Sequence, residues 1–107
     1  MERVPVSEPV YMIGMIDVKD FQAYAEQYGM PVGAMFAEVG AEIVVATQDV
    51  EVLEGEWPGN WTVVVKVPSA QVAQDLYNSE RYAPFRRARQ ETLANATTLV
   101  IAPALNA

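Results

Sequence analysis

Four of the seven basic residues, Arg81, Arg86, Arg87 and Arg89, fall within nine positions of a chain whose net charge is −7. Arg86 and Arg89 stand three apart and share a helix face, with Tyr82 and Phe85 one turn back. Such a set can act as an anion grip, a guanidinium fork holding a carboxylate or phosphate beside aromatic walls. The same arginines can instead pair with Glu54, Glu56, Glu80 or Glu91, as surface arginines commonly do. Arg89 stands apart, because it falls on the inner stripe with Phe85 and must satisfy its charge there.

Both tryptophans flank one turn, Trp57-Pro58-Gly59-Asn60-Trp61, which opens a strand. Two rings at one corner are either a lid over a cleft, with the Asn60 amide placed to hydrogen-bond a carbonyl or peroxy oxygen, or packing at a strand start and a subunit interface. Tyr24, Tyr28 and Tyr77 read as helix-to-sheet core, whereas the hydroxyls of Tyr11 and Tyr82 are the ones expected to reach a cavity. The candidate ligand-binding set is therefore Tyr11, Trp57, Asn60, Trp61, Tyr82, Arg86 and Arg89. Asp17 and Glu54 could do acid-base work if burial raised one of them, but a helix cap and an arginine partner are the simpler roles. Met12, Met15, Met30 and Met35 read as core filler.

Composition removes several function classes. A pI near 4.4 leaves no basic face for nucleic acid or an anionic membrane surface. With neither cysteine nor histidine, there is no disulfide framework, thiol nucleophile, imidazole catalysis or ordinary zinc or haem ligation. Two isolated carboxylates do not make an oxygen-ligand metal site, so no cofactor is expected. No apolar run approaches the roughly 18 residues of a membrane span, and the default address is the cytoplasm.

The elements that must position these residues follow from periodicity. Residues 1–9, with Pro5 and Pro9, read as a flexible lead-in to a single domain over residues 10–103. Val10 to Ile16 is a strand apolar on both faces. Asp17 or Asp20 can cap a helix bearing Phe21, Tyr24, Tyr28, Val32, Met35 and Phe36, with a kink or break at Gly29-Met30-Pro31 and a stop at Gly40. Strands follow at Glu42–Thr47, briefly at Glu51–Glu54, and at Trp61–Val67. Ser69 caps a second helix, Asn78-Ser79 recaps a further piece reaching Leu93, and a last strand runs Thr97–Ala102. The order β-α-β-β-α-β predicts an α+β ferredoxin-like plait, an antiparallel four-stranded sheet with its helices on one face. Strands apolar on both sides then call for cover on the other face, and a second copy of the same sheet is the simplest cover, giving a homodimer through sheet faces. A mean hydropathy of +0.07 in a chain of 107 residues points the same way.

Phe21-Gln22-Ala23-Tyr24, Val52-Leu53-Glu54-Gly55 and the run from Ala73 through Tyr77-Asn78-Ser79-Glu80-Arg81-Tyr82 to Arg89 resemble the pattern of the domain of unknown function 1330 family. The resemblance covers Tyr11 to Ala102 and implies a dimeric α+β barrel. Members usually carry a double glycine before the second strand and often an arginine after it, where this chain has Gly40-Ala41 and Thr47-Gln48-Asp49. Groups of similar fold include cofactor-independent monooxygenases of the antibiotic-biosynthesis type, muconolactone isomerases and stress-responsive barrels, which is analogy from fold. Two functions stay open: a pocket for a small aromatic or carboxylate ligand, with cofactor-independent oxygenase or isomerase chemistry as its enzymatic version, and a non-catalytic dimeric structural or binding module.

Overall fold

The computed structural model describes residues 8–105, so of the lead-in expected at residues 1–9 all but Glu8 and Pro9 lie outside the described residues. Strand β1 (Val10–Val18) leads into helix α1 (Phe21–Tyr24), a π-helical turn (Ala25–Gly29) and helix α2 (Met30–Glu38). Strands β2 (Glu42–Thr47) and β3 (Trp61–Val67) follow, then helices α3 (Ala70–Tyr77) and α4 (Ala83–Ala88), a second π-helical turn (Arg89–Leu93) and strand β4 (Ala94–Pro103). No helix among the described residues is long and apolar enough to cross a membrane.

Local chemistry sets these boundaries. Asp20 is the cap of the first helix, its carboxylate accepting the N–H groups of Gln22 and Ala23 at 3.0 and 3.2 Å. Asp17, the other candidate, accepts a hydrogen bond from Asn95 instead. Pro31 has no N–H for the helical ladder, and the interruption expected there takes the form of the π turn just ahead of it; Gly29 and Met30 keep helical dihedrals. Gly40, at φ 79°, ends α2, with its N–H on Ala37 O at 3.1 Å and the Ala41 N–H on Phe36 O at 2.9 Å. Ser69 accepts the Val72 N–H at 3.1 Å. Two sequence expectations are corrected. Residues 51–54 form irregular loop, and β4 begins at Ala94, three positions before Thr97, because pairing with β1 recruits Ala94 and Ala96, which have little strand preference of their own.

The sheet order is β2-β3-β1-β4 with every neighbour antiparallel, the ferredoxin-like plait expected from the sequence. Val10, Met12, Ile16 and Val18 of β1, with Val65 and Val67 of β3, are buried on the helix side against Tyr24, Ala73 and Leu93. Tyr11, Ile13, Met15 and Asp17 alternate onto the other face and are only half-buried. Of the methionines read as filler, Met12 and Met35 are buried, Met15 lies on the open face, and Met30 is 72% exposed because the helix turns it away from the sheet.

The segment between β2 and β3 is riveted to β1 by its last two residues. Gly59 presses on the open face, where an added Cβ would sit 2.5 Å from Met15 Cγ and 3.0 Å from the Ile16 carbonyl oxygen. The Asn60 N–H bonds Ile16 O at 3.0 Å, and its side chain clasps Val18, Oδ1 accepting the N–H at 2.7 Å and Nδ2 donating to the carbonyl at 2.9 Å. Gly59→Ala and Asn60→Ala are each expected to destabilise the protein by about 1–3 kcal/mol, the first through overpacking and the second through two orphaned backbone groups. Urea unfolding midpoints check both, with Gln71→Ala, a change in an exposed helix side chain, as the near-neutral control.

Candidate functional site

Between the helices and the sheet lies a cavity of about 110 Å³. Its floor is sheet: Met12 and Ile16 of β1, Trp61, Val63 and Val65 of β3, and Leu99 of β4. Its roof is helix: Tyr24, Tyr28, Val32 and Phe36 from the first helical region, and Leu76, Tyr77, Tyr82 and Arg89 from the second. Gly29 and Gly33 of the first region meet Ile43 and Ala46 of β2 along one side. The volume is of the order of a cavity that takes one benzene ring, about 150 Å³ in a well-known engineered case.

The lining is apolar except for one cluster. Arg89 is 2% exposed, and its guanidinium lies 5.6 Å from the centre of the Tyr28 ring. Its NH2 group donates to the Tyr82 hydroxyl at 3.4 Å, a long bond, and its buried Nε has no hydrogen-bond partner among the described residues. Nor does it form an ion pair there; the only one among the described residues joins Arg81 to Glu38 on the surface. The hydroxyls of Tyr28 and Tyr82 lie 2.5 Å apart. One of their two O–H hydrogens serves that contact, which leaves the other for a further acceptor.

The two π turns carry this cluster. Tyr28 lies in the first, Ala25–Gly29, and Arg89 opens the second, Arg89–Leu93. A π turn widens the helix by one residue and re-aims its side chains, which is why such turns recur at functional sites. Trp61 borders the cluster at the start of β3, edge-on to Phe21 at 5.8 Å and to Tyr24 at 6.5 Å between ring centres.

Of the seven residues singled out in the sequence, Trp61, Tyr82 and Arg89 line the cavity together, and four stand elsewhere. Asn60 uses both ends of its amide to clasp the Val18 backbone and does not line the cavity. Trp57 donates to Thr62 Oγ1 at 2.8 Å, and Thr62 alternates with Trp61 onto the far face of the sheet, so Trp57 is no lid of this cavity. Tyr11 faces the same open side. Arg86 donates to the Tyr77 carbonyl at 3.0 Å and lies over the Tyr77 ring at 5.2 Å, which turns it away from Arg89 despite their shared helical spacing. The carboxylate partners proposed for the arginines are not used; Arg81 takes Glu38. Sequence reasoning missed Tyr28. Its only signal is its place immediately before Gly29-Met30-Pro31, where the helix must be irregular.

Burial pushes the Tyr24 and Tyr28 phenols well above their ordinary value of 10.0. At Arg89 burial works against the charge, but nearby Tyr28 and Tyr82 outweigh it and the net direction is upward, so the guanidinium stays charged. The folded protein thus holds the two phenolic protons more tightly than the unfolded chain does. That contribution to stability is complete below about pH 10 and is lost as the pH rises beyond it. Phenolate absorbance followed during alkaline titration is expected to leave Tyr24 and Tyr28 silent until the protein unfolds, whereas urea-unfolded chain ionises all its tyrosines together.

The profile of the domain of unknown function DUF1330 matches residues 9–103. No curated protein matches the chain. Among solved structures, RPA0582 of Rhodopseudomonas palustris, a protein of unknown function, superposes with a TM-score of 0.76 at 18% identity over 94% of this chain and 85% of its own. A dimeric protein of unknown function and ferredoxin-like fold from Bacteroides fragilis NCTC 9343 gives 0.55 at 11% identity over 90% and 96%. A candidate antibiotic biosynthesis monooxygenase from Bacteroides thetaiotaomicron VPI-5482 gives 0.56 at 12% identity over 95% and 92%. At these identities the likeness is one of fold. The profile match spans nearly the whole chain and agrees with the resemblance carried by its Leu-Glu-Gly and Tyr-Asn-Ser segments, so this chain belongs to the DUF1330 family.

Proposed function

We propose that the protein binds a small apolar carboxylic acid in the cavity between its helices and sheet. The observation that carries this reading is the Arg89 guanidinium, buried with no counter-charge among the described residues, beside a phenolic hydrogen that lacks a committed acceptor there. Burying an unpaired cation is costly, and a ligand that brings a carboxylate offsets that cost. One carboxylate oxygen would take Arg89 and the other the tyrosine pair, while a ring or branched chain fills the apolar remainder. The lining contains no aspartate, glutamate or lysine to accept a proton. The phenols of Tyr24 and Tyr28 are poor bases because burial holds their protons tightly, so binding without proton transfer is the favoured form of this function.

We further propose that the protein is a homodimer through the open sheet faces and that it works in the cytoplasm. Tyr11, Ile13 and Met15 are only half-covered on that face, and Val100 of β4 is 48% exposed beside them. The Bacteroides fragilis relative of similar fold is described as dimeric. Val100→Lys places a charge on this face, on the edge strand β4 beside Ile13, and is expected to yield monomers by native mass spectrometry where the parent gives dimers.

Arg89→Met tests the ligand reading, because it removes the charge and keeps the length. Tryptophan fluorescence is expected to respond to benzoate or isocaproate in the parent through Trp61, and to fall silent in the variant. Urea unfolding of the variant is expected to show a gain of about 1–3 kcal/mol, since an apolar side chain replaces an unpaired buried cation. A variant that is less stable than the parent would mean that Arg89 is a structural residue and would remove the anchor of the site.

A further inference from the structure

Arg89 stands in the wall between two hollows of opposite character. One is the apolar cavity; the other is a groove of about 340 Å³ along the first half of β4, with Gln90, Asn95 and Thr97 in its lining. Arg89, Thr97, Tyr77 and Leu99 belong to both. A carboxylate held at Arg89 therefore has an apolar chamber on one side and a polar one on the other.

The groove has a built feature of its own. Asp17 of β1 lies opposite Ala96 of β4 while Val18 lies opposite Ala94, so Asn95 is a bulged residue with no partner in the register. Bulges re-aim a side chain and are common beside binding sites. Asn95 donates its Nδ2 to Asp17 at 3.2 Å, which leaves its carbonyl oxygen as an acceptor. Gln90 adds an amide and Thr97 a hydroxyl, so the lining of the groove is neutral apart from Arg89, while the Asp17 carboxylate stands outside it and takes the Asn95 amide.

An unsubstituted acid would leave the groove unused. We propose, resting on the carboxylate reading above, that the ligand class is the N-acylated apolar α-amino acids. Their α-carbon sends three arms out from one point: an apolar side chain into the cavity, a carboxylate to Arg89, and an uncharged acylamino group into the groove. The groove, about 340 Å³ along β4, has room for far more than a hydroxyl substituent. A free amino acid is selected against, because its ammonium would stand beside the Arg89 guanidinium with no carboxylate in either lining.

Calorimetric titration of the full-length protein with isocaproate, N-acetylleucine and leucine separates the possibilities. N-acetylleucine is expected to bind about tenfold tighter than isocaproate, the gain of one or two net hydrogen bonds. Leucine is expected to bind at least about tenfold more weakly than N-acetylleucine. Asn95→Ala is expected to erase the difference between the two acids. Equal affinity of N-acetylleucine and isocaproate, or binding of leucine as tight as that of N-acetylleucine, overturns the inference and leaves the carboxylate site standing. Absence of binding by either acid overturns both.

Discussion

Strand β1 has a neighbour on each side and apolar residues on both faces, and the rest of the molecule is arranged around that constraint. Because side chains alternate with a period of two, its even-numbered residues and its odd-numbered ones face opposite environments. Val10, Met12, Ile16 and Val18 build the floor of the helix-side core. Tyr11, Ile13 and Met15 look the other way, where the loop ahead of β3 gives partial cover through Gly59. The Asn60 clasp on Val18 fixes that loop and with it the start of β3. Trp61 then enters the helix-side layer while Trp57 remains on the far side, two rings four residues apart serving opposite faces of one sheet.

The second governing feature is a charge in the wrong solvent. Arg89 is almost fully buried among phenol rings and has, among the described residues, one long hydrogen bond, an unpartnered Nε and no carboxylate. Dispersion and cation-π contact with Tyr28 supply part of what water would have given, but not a counter-ion. Stability alone would favour an apolar residue at this position. A polar group placed where it is costly marks a candidate site, and its position at the wall between an apolar and a polar hollow is the basis of the direction proposed for it.

Much of the fold was legible in the residues. The caps at Ser69 and Gly40, the three strands that begin at Val10, Glu42 and Trp61, and the order that makes a ferredoxin-like plait all rest on local signals that tertiary packing reinforced. The short strand at residues 51–54 failed because alternation without a paired neighbour does not make a strand, and the early start of β4 was hidden because its first residues are strand only through pairing. The site was half legible. Arg89, Tyr82 and Trp61 followed from helical spacing and from bulky residues at an element start, whereas Asn60 and Arg86 had the right chemistry for a ligand but found partners in the protein's own backbone.

The sequence by itself determined the element order, the sidedness of each strand and the burial of Arg89, because these depend on periods of two and 3.6 residues that are written locally. Which polar groups remain free was decided only by the tertiary structure. Tyr28 and Tyr82 are 54 residues apart and share one hydrogen bond; Asn60 and Val18 are 42 apart and share two. Hydrogen bonds are short and directional, so whether a side chain is spent or available depends on distances of a few tenths of an ångström between distant parts of the chain, and no local pattern encodes these.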